Sequence, residues 1–188
     1  MNTTARTLRE RIQQKPLLHS AVSSDTTLTA LTDTATALSE LRRILAMSNS
    51  GAAFQSVVIA TVRIVERALC KERCVAQAAL SLGQQEKLSG MVDAIEEAAL
   101  LLRDQLSTQG NSLTNLCGEQ PARSGEAEPW PDALFSAVHV LDEGVSQLVS
   151  LSNAQPKSSS SRALSDCTAQ LLRLHHNTLL LEAEEWMA

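Results

Sequence analysis

Apolar residues recur at alternating steps of three and four through one segment after another of this chain. No other feature constrains the fold as much. That spacing holds side chains on one face of a 3.6-residue helix, whereas a half-buried strand needs alternation at every second residue. Leu, Ala and Val fill these faces: 44% of the 188 residues are hydrophobic, yet there are two Phe, two Trp and no Tyr. The expected fold is all-α, an antiparallel bundle of about five main helices plus a short N-terminal helix, since 3-4 alternation suits shallow crossing angles.

The spacing predicts helices over 25–48, 52–82, 84–108, 132–153 and 161–186. The first, capped by Ser24 or Asp25, carries Leu28, Leu31, Ala35, Leu38 and Leu45, widened by Leu41 and Ile44, and stops at Asn49-Ser50-Gly51. The second has Phe54, Val58, Val62, Val65 and Leu69 on one face and Val57, Ile64 and Ala68 on another. A helix apolar over most of its circumference is expected at the centre of a bundle. Gly83 is the expected corner, followed by Leu88, Val92, Ile95, Ala99, Leu102 and Leu106. Leu134, Val138, Leu141, Val145 and Leu148 mark the fourth helix; Leu164, Cys167, Leu171, Leu174, Thr178 and Leu181 mark the last. The shared core is expected to hold Val58, Val62, Val65, Leu69, Ile95, Leu102, Leu141, Val145, Leu171 and Leu174.

Punctuation divides the chain into a basic N-terminal segment (1–23), a three-helix part (24–109), a flexible linker (110–131) rich in Gly and Pro, and a C-terminal hairpin (132–188). Segment 1–23 carries Arg6, Arg9, Arg11 and Lys15, with Leu8 and Ile12 one turn apart. It reads as a short exposed helix ended by Pro16, or as an Arg-rich transit peptide. Segment 51–82 is net basic and 83–109 net acidic, so Arg63, Arg67 and Lys71 are expected opposite Asp93 and Glu97 in an antiparallel hairpin. The serine run Ser158 to Ser161 is a turn, a ready helix cap and a plausible phosphorylation site.

Chemistry is sparse. A net charge of −5 disfavours a dedicated nucleic-acid binder. No apolar run approaches the ~20 residues that span a bilayer. Four cysteines without a regular framework point to reduced thiols and an intracellular setting, cytoplasmic or nuclear, with mitochondria as the alternative. Cys70 and Cys74 stand one helical turn apart, and with His175 or His176 a zinc site is imaginable, though buried thiols explain them better. His139 and the five residues after it resemble the phosphoacceptor segment of histidine-phosphotransfer domains, themselves helical bundles. Asp142 and Glu143 stand where that family carries a cation, so no role is carried over.

These readings add up to a non-enzymatic subunit or adaptor that binds other helical chains through apolar faces, without cofactor, metal or nucleic acid; a homo-oligomer is compatible with it. The alternatives are a peripheral membrane module using the basic N-terminal helix and a histidine-based phosphorelay protein. Leu172, Leu179 and Leu180, on the side opposite the 3-4 row of the last helix, are the expected partner surface, with Trp186 beside them and Trp130 available to anchor the linker or dock on a partner.

Overall fold

The computed structural model describes residues 33–48, 51–107 and 129–187, all within one unit that begins at Leu31. It is all-α, with five helices among the described residues: α1 (Thr34–Met47), α2 (Ala52–Ala78), α3 (Leu82–Ser107), α4 (Trp130–Asn153) and α5 (Ser160–Met187). Segment 1–23, the Ser24 or Asp25 cap and linker residues 110–128 lie outside the described residues.

Side-chain caps explain most helix starts. Asp33, in extended backbone, accepts a 2.7 Å hydrogen bond from the Thr36 amide, so α1 begins at Thr34 rather than at 25. The Ser81 hydroxyl oxygen accepts from the Gln84 amide, which starts α3 at Leu82. The corner therefore falls at Ala79–Ser81, and Gly83, expected to make it, sits in the first turn of α3. Ser159, within the serine run, caps α5 through the Arg162 amide. Helix α4 opens at Trp130, two residues before expectation, with Pro131 in its first turn, where a missing N–H is harmless, and Asp132 favouring the positive helix end.

Packing follows a ring. α4 touches α5, α5 touches α1, α1 touches α3, α3 touches α2, and α2 returns to α4; α2 also meets α5 across the interior. The α2–α3 hairpin is antiparallel, since Arg73 pairs with Glu96 while Glu66 pairs with Arg103. So is α4–α5, where Ser152 meets Asp166 near the turn and Phe135 meets Trp186 at the far end. The expected α2–α3 pairing of helices holds, but the expected ion pairs do not. Arg67 reaches Glu143 on α4, and Glu97 is taken by Arg42 on α1. Each cation answers to the ring neighbour beside it, and pairs this exposed are weak in choosing a partner.

Of the expected core, Val58, Val62, Val65, Leu69, Ile95, Leu102, Leu141 and Leu171 are buried together. Val145 and Leu174 are half-buried at its margin. Gly144 shows how close the helices come: a Cβ there would stand 3.0 Å from Ile64 Cγ2 and 3.1 Å from Leu172 Cδ1. Among the described residues, no helix is long and apolar enough to cross a membrane.

Candidate functional site

The expected partner surface on α5 is not a surface. Leu172 and Leu179 are both fully buried, and Leu180 is half-buried. The cause is the position of α5, which packs on α4, α1 and α2 at once. The centre of its buried face is Ser161, Ser165, Thr168, Leu172, His175, Leu179 and Glu182, itself a row of alternating four- and three-residue steps. The more apolar row beginning at Leu164 flanks it and leaves the interior toward Leu181, which is 57% exposed. Polar residues are tolerated in the central row because their hydroxyls bond back into their own helix: Ser165 to the Ser161 carbonyl and Thr168 to the Leu164 carbonyl. A row that is polar at five of seven positions carries no hydrophobic signal, so periodicity alone passes over it.

That row also carries the most unusual chemistry of the interior. His175 Nδ1 lies 2.9 and 3.1 Å from the two carboxylate oxygens of Glu72 on α2, with the side chains 1% and 2% exposed. Burial pushes the Glu72 carboxyl above its ordinary range, and the hydrogen bond and charge of His175 pull it only partly back. The imidazole Nε2, also buried, meets no hydrogen-bond partner. Such a pair holds a proton across the α2–α5 contact, but it is sealed from dissolved reactants. Among the described residues no three His, Cys, Asp or Glu side chains gather to hold a metal, and His175, one of the two histidines considered for a zinc site, is engaged by Glu72. Cys70 and Cys74 are half-buried and His139 is exposed. Cys167, buried against α1, directs its thiol toward the Ala37 carbonyl and is pushed up to about 12, mainly by burial.

A different region gathers what solvent can reach. Near its C-terminus, α5 places Glu182 in an almost closed site, where it accepts hydrogen bonds from Lys87 Nζ and Gln84 Nε2 in the first turns of α3. One turn on, Trp186 packs edge-to-face on Phe135 of α4, ring centroids 6.1 Å apart. These contacts bring the start of α3, the start of α4 and the end of α5 to one end of the bundle. Leu80 and Leu82 precede Gln84 there and Leu181 precedes Glu182; Leu82 is 81% exposed and Trp186 45%. Trp130, expected as an anchor or a docking residue, is 4% exposed and belongs to the core. Of the expected partner residues, Trp186 alone presents a large exposed area. Leu80 and Leu82 were missed, because a corner leucine reads as core; Leu181 stands both in the row expected to pack inward and, with Leu100, Leu101, Leu179 and Leu180, among the leucines expected to extend the apolar stripes toward a partner helix.

No known protein family, no curated protein and no solved structure matches this chain.

Proposed function

We propose that this chain is a non-enzymatic helical-bundle protein, a subunit or adaptor of a larger assembly, which engages other chains through the end formed by α3, α4 and α5. One observation carries the reading. Leu80, Leu82, Leu181 and Trp186 are exposed at one end of the bundle, where Glu182 and Ala183 of α5 are buried and Trp186 is held against Phe135. Single exposed leucines, such as Leu100 on α3, are ordinary; several large apolar side chains at one end are the signature of an interaction site. A half-exposed tryptophan supported by a second ring is also a favoured anchor in protein interfaces.

The test compares affinity purifications of the full chain with those of a Leu82→Ser, Leu181→Ser, Trp186→Ser variant. Both must first show the same helical circular dichroism and the same cooperative unfolding. Partners recovered with the wild type and lost from the folded variant support the reading. If the variant retains every one of them, this end of the bundle is not the interface.

A further inference from the structure

The electrostatics of this end select the kind of partner it fits. Two helices finish here, α2 at Ala78 and α5 at Met187, and two begin, α3 at Leu82 and α4 at Trp130, so the end dipoles offset one another and the sign of this end is set by its side chains. A helix C-terminus carries partial negative charge on its unsatisfied carbonyls and is ordinarily matched by Lys, Arg or His. Neither α2 nor α5 has a basic residue in its last turn, and α5 instead places Glu184 and Glu185 there. Glu184, Glu185 and Glu86 of α3 are exposed and form no ion pair among the described residues. The cation closest at hand, Lys87, is already committed to the almost buried Glu182. Among the described residues, the exposed leucines and Trp186 therefore sit beside carboxylates that no cation pairs.

We propose that this end docks a basic amphipathic helix of a partner chain, its apolar face on Leu82, Leu181 and Trp186 and its Lys or Arg side chains toward Glu86, Glu184 and Glu185. The proposal rests on the interface reading above and adds the sign of the partner. Burying Leu181 and Trp186 under an apolar face supplies the attraction. The surrounding carboxylates set the preference, because an acidic or neutral helix would leave them facing like charge or no charge at all.

The experiment uses the full-length chain and three synthetic peptides of equal length: an amphipathic Leu/Lys helix, the same helix with Glu for Lys, and a scrambled Leu/Lys sequence with no apolar face. Trp186 reports occupancy through its fluorescence, since it is exposed while Trp130 is buried in the core. The expected result is a saturable blue shift with the Leu/Lys helix and none with the Glu helix or the scrambled sequence. A Glu184→Lys, Glu185→Lys variant, folded by circular dichroism, should bind the Leu/Lys helix at least tenfold more weakly and acquire affinity for the Glu helix. If the Glu helix shifts Trp186 of the wild type as well as the Leu/Lys helix does, the end is an interface of another charge preference and the present inference falls while the functional reading stands. Equal binding of the scrambled peptide reduces the effect to non-specific charge attraction and overturns the docking geometry. If no peptide perturbs Trp186, both the inference and its apolar footing are lost, whereas the functional reading is still judged by the purification comparison.

Discussion

The middle of this bundle and its α3–α5 end sort their side chains in opposite senses. Where α2 meets α5, a carboxylate and an imidazole are sealed inside; at the end, a tryptophan and three leucines face water. Each arrangement is unfavourable alone, and their causes differ. The interior pair is buried where α2 meets α5, so its polarity must be answered within the pair. The exposed end sits where helices stop and nothing of the described chain lies over them. Polar groups inside are answered by one another, and apolar groups outside are what a partner would cover under the proposed function.

The comparison breaks most easily at the interior pair. His175→Ala leaves Glu72 buried without its partner and should cost about 3–5 kcal/mol in urea unfolding. Replacing both, Glu72→Met with His175→Leu, should restore or exceed wild-type stability, because hydrophobic substitutes of similar volume are often as good as a buried ionic pair. A double variant as weak as the single one would show that the pair is indispensable to packing. The same pair gives a pH dependence of definite sign. With its folded-state pKa raised above 4.5, Glu72 binds more protons in the folded chain than in the unfolded one between the two values. Its contribution to stability is therefore fullest below 4.5 and is lost as pH rises through the folded value. Glu72→Gln should flatten that decline when unfolding midpoints are compared from acidic to neutral pH. An unchanged profile would remove Glu72 as its source.

Truncating leucines along α5 sharpens the contrast next. Leu172→Ala in the centre should cost about 2–5 kcal/mol, while Leu181→Ala at the end should stay within about 0.5 kcal/mol in thermal unfolding. Comparable losses would mean that the end is packed in solution by something covering it. Glycines make the smallest and cleanest probe. Gly144→Ala forces a methyl against Ile64 and Leu172, and strain of about 1–3 kcal/mol outweighs the roughly 1 kcal/mol gain in helix propensity. Gly90→Ala, with nothing within 4 Å, should instead stabilise by about 0.5–1 kcal/mol. Opposite signs in differential scanning calorimetry would confirm that α3 is spacious where α4 is crowded.

Most of the fold was legible because apolar period and capping chemistry are local. Phe54 through Leu69, Leu88 through Leu106 and the Ser159 cap can be read within a few residues of themselves. The candidate site was not legible in that way. Whether Leu181 or Leu172 faces water depends on how many neighbours surround α5 at each level, a property of the whole ring. Thr168, His175 and Glu182 line the buried row for the same reason, although none is apolar. Trp130 illustrates the converse: between two prolines it reads as part of a linker, yet it is the first residue of a helix and points inward.

The place of α1 in the ring has a consequence for motion. This helix of 14 residues, the shortest of the five, leans on α3 and α5 and lies against Cys167, whose thiol is aimed at the Ala37 carbonyl. A thiol held up to about 12 is almost wholly protonated at neutral pH, so an alkylating reagent reaches a reactive thiolate there only after α1 has lifted away. The labelling rate of Cys167, set against that of the unfolded chain, thus counts how often one stave of the barrel opens while the others stay closed. The chain carries its own clock for a local opening that a global melting curve would average away.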